Sequence, residues 1–545
     1  MSWARVQFIF DRELNAGNFL DKAYQRHGDF TFLHFDQQTL LGEKTDHVRL
    51  SQLIAQANRV SRLLLSHSIE RFNRVAIYQN NSPDYFLLGM ATIRAGGIAV
   101  PIHGDMATDI FIEYVNNTGS RYLFTDSERY AELLEAGFLE KCPCVEQVFI
   151  TDQTGQGDQN VFAETLAGFP AEFEPVSPWP DEDIFIVHTS GTTGIPKGVL
   201  HTSGSFIAGL KGMLKIQPVF KGQRFLSAMP YNHFISYQGI SSAAIAGNEG
   251  LLLQKDVAAN VLDCIQSFRP QVVFCFPHIY VDIYDYGLES HDLSSVKLWM
   301  AGADSSHEAH IREFLQYGSL LGCFGQVFIP SAYIDSLGTS EVGFPAFIKV
   351  STKYSKTFSR CIGRSTFAGP RVKVADENGR KVKRLETGRL MVKGPTLFKG
   401  YWNAHDRLHG VVKDGWWWTG DMGYRDRRGR YFHLDRCVDQ IHSANGVLSS
   451  LLLEEHVLKH QGVTEAVVVA RNTPDEGQQP LIFVQSRRGR SVSKEEMELW
   501  VREALPEGVR CGGVQFVDRE AIPRGLTGKV LKRQLREDME ERDTV

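Results

Sequence analysis

Apolar positions along this chain follow two periods in turn. LSQLIAQANRVSRLLLSHSI (50–69) carries them at helical spacing, three and four residues apart. RVAIYQ (74–79), IFIV (184–187), QVVFCF (271–276) and KLWMAGA (297–303) are short, nearly continuous apolar runs, the pattern of buried strands. YFLLGMATIRAGGIAVPI (85–102) predicts a helix, a glycine break and a strand. This alternation runs through residues 50–435 and predicts an α/β fold with a largely parallel sheet. The character changes near 434–442, after the glycine- and turn-rich WWWTGDMGYRDRRGRYFHLD. Beyond it the pattern gives a helix near 449–460, strands EAVVVA (465–470) and PLIFVQ (480–485), a helix near 493–505 and a basic segment. We expect a large domain over 1–435 and a small α+β domain over 436–545, with movement between them.

Composition narrows the function classes. The 545 residues exceed what one core supports. With 43% hydrophobic and 23% charged residues, the chain reads as a globular protein. A net charge of −5 without a basic tail gives no support for nucleic-acid binding. No apolar run reaches spanning length, so no stable membrane insertion is expected. The start, MSWARVQFIFDREL, lacks a signal-peptide pattern. Eight scattered cysteines with no CxxC pair predict free thiols and a cytoplasmic setting. HEAH (307–310) is one residue short of a zinc-binding HExxH. His456 and His460 are helix-spaced without a third ligand, which predicts a solvated helix face.

The strongest chemical signal is HTSGTTGIPKGV (188–199). Its glycines, Gly191 and Gly194 among them, allow backbone N–H groups to approach phosphate oxygens. Thr189, Ser190, Thr192 and Thr193 supply hydroxyl donors, and Lys197 a mobile point charge. It is not a Walker A loop: Pro196 and Gly198 flank the lysine where that motif needs Gly and Ser or Thr. The stretch resembles the signature loop of the AMP-forming adenylating enzymes, the superfamily of acyl-CoA synthetases, peptide-synthetase adenylation domains and firefly luciferase.

Further stretches resemble that superfamily's motifs in the same order. IRAGGIAVPI (93–102) resembles an early structural motif, and MPYNHFIS (229–236) the substrate-side motif, which places His233 at the acyl passage. AGADSS (301–306) resembles the turn against adenine, with Gly302 and Ala303. IDSLGTSEVG (334–343) resembles the next segment and implies Asp335 for the adenine amino group, Gly338, Ser340 for the α-phosphate and Glu341 for Mg²⁺. Leu337 stands where an aromatic is usual. GRLMVKGPTLFKGYW (388–402) resembles a structural motif, with Arg389 in place of a usual glutamate. WTGD (418–421) implies Asp421 as the ribose ligand, and DRCVDQI (435–441) the hinge, with Arg436 on the nucleotide. IPRGLTGKVLKRQLR (522–536) implies Lys529 as the adenylation lysine.

The resemblance implies a large N-terminal domain of sheets with packed helices and a small rotating C-terminal domain. It implies that ATP and a carboxylic acid give acyl-AMP and pyrophosphate, with Lys529, Glu341 and His233 at the chemistry. Fixed positive charge is what a transition state gathering negative charge at phosphorus needs. The implied cofactors are ATP, Mg²⁺ and CoA; the acceptor is CoA or an acyl carrier protein. Phe234 is followed by Ile235 and Ser236, without the aspartate that would hold an α-ammonium, so an aryl or acyl acid fits better than a free α-amino acid. Val438 and Asn445 depart from the hinge pattern and put transfer to free CoA in question. Two alternatives stay open: a ligase acting on an amine or small oxyanion through an adenylate, and a catalytically reduced nucleotide-binding scaffold.

Overall fold

The helix Leu50–Ser66 turns its Leu50, Leu53, Ala57, Val60, Leu63 and Leu64 stripe into the core, as the spacing requires. It lies over the wholly buried helix Asp84–Arg94, whose chain returns through Gly96 and Gly97 into the strand Ile98–Ile102. The computed structural model describes residues 3–37, 39–41, 43–153, 160–189, 196–216, 221–323, 326–473, 477–526 and 528–544.

Among the described residues the chain builds three large sheets. A seven-stranded sheet holds Asp183–His188, Ile98–Ile102 and Arg74–Tyr78 near its centre. A fourteen-stranded sheet runs from Arg371–Ala375 to His47–Arg49. The third has five strands, all from residue 441 onward. The architecture is α/β, with a large N-terminal multi-sheet part and a small C-terminal one.

The expected largely parallel sheet holds for only six of the fourteen strands. Arg224–Ser227, Val272–Cys275, Leu298–Ala301 and Ala332–Leu337 pair in parallel. From Phe347–Ser351 through Tyr431–Arg436 the pairing is antiparallel. The reason is connection length. Trp416–Arg425 reaches Tyr431–Arg436 through a short turn, and a parallel crossover needs a dozen residues or more.

The parallel strands set the site. Ile98–Ile102, Asp183–His188, Leu298–Ala301 and Ala332–Leu337 all end on His103, Thr189, Gly302 and Gly338, and open α/β sheets bind ligands beyond such carboxyl ends. In the C-terminal part, the hairpin Val463–Thr473 and Gly477–Ser486 is buried on both faces. Val468, Ile482 and Val484 face one cluster, and Val467, Leu481, Phe483, Ile522 and Leu535 the other. The second cluster anchors the chain that carries Lys529.

One buried charge helps fix the large domain. Arg94 is 1% exposed and donates to Asn58 Oδ1 (2.6 Å), the Gly17 carbonyl (2.9 Å) and Asp21 (2.5 Å). Arg94→Met would leave these acceptors without their donor. We expect a loss of about 3 kcal/mol, read as a lower urea midpoint with an unchanged slope.

Candidate active site

The strands Asp183–His188 and Gly198–Thr202, which flank the stretch singled out at 188–199, pair antiparallel in the seven-stranded sheet. Thr189 and Lys197, near the two ends of that stretch, are tied together. The Thr189 N–H donates to the Lys197 carbonyl (3.1 Å), and the Lys197 N–H to Thr189 Oγ1 (3.3 Å). Ser190, Gly191, Thr192, Thr193 and Gly194 lie outside the described residues. Lys197 Nζ sits 5.1 Å from the centre of the Tyr401 ring, a cation–π contact. Tyr401 donates its hydroxyl to Glu341 Oε1 at 3.0 Å. Burial first, then Arg407 and Arg436, lower the Lys197 ammonium below its usual value, while Glu341 opposes them.

No group of three or more His, Cys, Asp or Glu is assembled for a metal among the described residues. Mg²⁺ needs little more than one or two carboxylates plus substrate phosphates, so the hard oxygens of Glu341 near Lys197 fit it. Ser340 is held beside Glu341 through its backbone: its carbonyl accepts from His201 Nε2 at 2.7 Å. A Cβ on Gly338 would lie 3.3 Å from the Phe344 carbonyl, a tight approach.

Residues 302–306 form the turn after Leu298–Ala301. A Cβ on Gly302 would meet Phe274 at 3.1 Å, and Ala303 takes φ +74°, a strained value for a residue with a side chain. Asp335 holds the turn. Its carboxylate accepts from Ser305 Oγ (3.0 Å) and the Ser306 N–H (3.2 Å), and it is 3% exposed. Burial raises its pKa, against Lys349 and these donors. Both oxygens are thus engaged within the protein.

Asp421 and Arg436 face each other on neighbouring antiparallel strands. Asp421 Oδ1 lies 3.4 Å from His433 Nε2 and 3.7 Å from Arg436 Nε. Burial pushes the Asp421 carboxyl up, but His433, Arg436 and Lys529 outweigh it and hold the group ionised. Lys529 arrives from the C-terminal part. Its Nζ is 2.9 Å from Asp304 Oδ2 in the 302–306 turn. Burial opposes ionisation of Asp304, and Lys529 followed by Arg360 holds its pKa far below the usual carboxylate range.

Three histidines, His103, His188 and His233, lie near one another. His188 Nε2 accepts from the His103 N–H (3.1 Å) and Asn232 Nδ2 (3.3 Å), and its Nδ1 meets the Thr189 carbonyl (3.1 Å). Burial lowers its pKa to about 4. His233 precedes the helix Phe234–Ala246 and packs edge-on to Phe276 at 5.2 Å. Burial, then His188 and His103, push it down to about 3, so its imidazole is neutral. On that helix Phe234, Tyr237 and Gln238 are buried, whereas Ile235 and Gly239 are half-exposed one turn apart. A Cβ on Gly239 would meet nothing within 4 Å. Ile235 packs in part against the core cluster around Phe276 and Ile279, and Gly239 leaves space beside it.

Several functional neighbours escaped the sequence reading: Tyr401, His433, Arg360 and Asp304. Tyr401 lay inside a quoted stretch but carried no mark of its link to Glu341. Two histidines depart from expectation. His456 and His460 are not on a solvated face: His456 Nε2 meets the Trp500 carbonyl at 2.9 Å, and His460 packs edge-on to the Trp500 ring at 5.2 Å. An indole from a neighbouring helix covers them. At the hinge, Gly446, not Asn445, takes the positive φ, and Val438 lies 74% exposed in a short 3₁₀ turn.

Residues 20–402 match the family model described as AMP-binding enzyme, and 452–529 match AMP-binding enzyme C-terminal domain. The chain belongs to the AMP-binding enzyme family. It is an AMP-forming acid ligase of the acyl-CoA synthetase type. Among its relatives is a 3-aminoavenalumate diazotase from Streptomyces sp, 28% identical over 98% of this chain and 97% of that one. Another is a 3-hydroxybenzoate–CoA ligase from Aromatoleum sp. (strain CIB), 26% identical over 92% and 93%. The fold is that of an anthranilate–CoA ligase solved with anthranoyl-AMP, with TM-score 0.86, 19% identity and 98% and 99% of the two chains covered. No described helix is long and apolar enough to cross a membrane. Cys142, Cys144, Cys264, Cys275, Cys361, Cys437 and Cys511 are unpaired.

Proposed function

We propose that this ligase activates an aryl or acyl carboxylic acid as its adenylate, with the acid lying along the Ile235–Gly239 face and passing to CoA or a carrier-protein thiol. The observation that carries this reading is the approach of Lys529 from the C-terminal part to Asp304 in the 302–306 turn, where it also acts, with Arg436, on the charge of Asp421. Lys529 supplies positive charge where the attacking carboxylate meets the α-phosphate. Glu341 would hold Mg²⁺, which neutralises the β- and γ-phosphates when bound. Asp421 accepts the ribose hydroxyls. Neutral His233 and His188 bound the acid without adding charge. We set the domain boundary between residues 435 and 436; the close spacing of the last large-sheet strand, Tyr431–Arg436, and the first strand of the five-stranded sheet, Ile441–Ser443, supports a boundary in this stretch. Unpaired cysteines and the absence of a described spanning helix support a cytoplasmic setting.

A second reading makes an amine the acceptor, or a small oxyanion the activated acid. It is favoured by the diazotase relative, whose name puts an aromatic amine at the reacting centre. The scaffold reading is weakened by the presence of Lys529 and Arg436 close enough to Asp421 to hold its carboxylate ionised.

The deciding test follows ATP with benzoate, 3-hydroxybenzoate, 4-coumarate and nitrite in turn, with and without CoA. We expect AMP and pyrophosphate in equal amounts with an active acid. ADP as the stoichiometric product would overturn the adenylation chemistry.

A further inference from the structure

Of the carboxylates at this site, Glu341 and Asp421 have assigned roles and Asp335 holds the 302–306 turn, which leaves one over. That one is Asp304, in the middle of the turn, with no role in the chemistry so far. It does not hold the turn: its Oδ1 accepts only the adjacent Ser305 N–H (2.8 Å), and Asp335 carries the rest. Its Oδ2 points at Lys529 Nζ, 2.9 Å away. Arg360 and His433 also lie close enough to act on its charge.

Lys529 cannot serve Asp304 and a transferring phosphate equally. As the ammonium turns to the α-phosphate, Asp304 loses its nearest counter-ion and stands as a carboxylate beside the adenylate's electrophilic atom. Such a charge has opposite effects on two kinds of nucleophile. A thiolate brings negative charge to the centre and is repelled. An amine attacks neutral and becomes positive as its bond forms, so a nearby carboxylate stabilises it.

We propose that Asp304 is the catalytic residue that admits an amine as acceptor, resting on the second reading above. The amine lone pair forms a bond to the acyl carbon as the carbon–oxygen bond to AMP breaks. That bonding pair leaves on the AMP phosphate. The nitrogen's surplus proton passes to the Asp304 carboxylate and then to solvent. Acyl-AMP and amine thus give amide, AMP and one proton. The same placement suits an arylamine attacking another adenylated oxyacid.

The test uses the full-length chain, the aryl acid that releases pyrophosphate, and two competing acceptors: aniline and CoA. Anilide and thioester are measured from one pool of adenylate, so a change in adenylation rate cancels in their ratio. Asp304→Asn, which keeps the shape and removes the charge, is expected to lower the anilide-to-thioester ratio at least tenfold. Asp304→Ala should do the same, and circular dichroism identifies a variant that has not folded. An unchanged ratio in folded Asp304→Asn, or a wild-type enzyme that forms thioester but no anilide, would overturn the assignment. Absence of pyrophosphate from every acid would instead remove the adenylation reading on which it rests.

Discussion

Lys529→Ala is expected to slow adenylate formation by about 10²–10³-fold, the cost typical of removing one preorganised donor at a developing charge. The loop around Lys529 is well tied. The Gly525 N–H donates to the Lys529 carbonyl (2.9 Å), Arg524 donates to the Gly528 carbonyl (3.1 Å), and Arg524 also pairs with Glu465. The loop thus holds its place without the ammonium, so the loss measures charge and not folding. Nucleotide affinity should survive, because Lys197, Glu341 and Asp421 all belong to the large part. A single-turnover measurement of adenylate against ATP concentration separates the two. A rate loss under about tenfold, roughly 1.4 kcal/mol, would mean that another cation does the work.

The fold was legible wherever one period dominated a segment. Residues 50–66, 74–78, 98–102 and 272–275 form the elements their apolar spacing predicts, because burial there is decided locally. The antiparallel part was not legible. Gly388–Lys393 and Trp416–Arg425 carry ordinary strand patterns, and only their partners decide direction. After the hinge the two long strands and the two helices Ser450–Val457 and Lys494–Arg502 were foreseen, since Val463–Thr473 and Gly477–Ser486 are apolar on both faces, whereas Ile441–Ser443, Gly446–Leu448, Gly513–Phe516 and Lys532–Thr544 were not.

The site was legible as motifs but not as contacts. Asp421 and Arg436 stood out in their strings, and the strand pairing sets them opposite each other. Asp304 carried no signal. It is one aspartate in a turn, and its meaning comes from a lysine delivered by another domain. Asp335 shows the converse. Its place in the string suggested a ligand contact, and its oxygens also accept from Ser305 and Ser306, a structural task the string did not show. A motif names residues that matter; the hydrogen bonds around each one decide what it touches.

Asp421→Ala is expected to weaken ATP binding by about 10²-fold, with a smaller change in the rate at saturating ATP. The carboxylate is kept ionised inside the cleft by His433 and Arg436 despite its burial. Its backbone is also fixed: Gly420 takes φ +85°, and the Asp421 N–H donates to Thr419 Oγ1 at 3.2 Å. A fixed anion accepting from both hydroxyls of a cis-diol makes two charge-assisted hydrogen bonds. At about 1.5 kcal/mol each, their loss gives about 3 kcal/mol, or a little over 10²-fold. The ribose is the same in substrate and transition state, so this binding is uniform and its loss falls on KM more than on kcat. Asp421→Asn should fall between, because an amide oxygen still accepts but carries no charge. Lys529→Ala has the opposite signature, and the pair of variants tests the division of labour between the two domains. A KM for ATP within fivefold of wild type in Asp421→Ala would place the ribose elsewhere. His433 and Arg436 would then be left balancing a charge that no ligand uses.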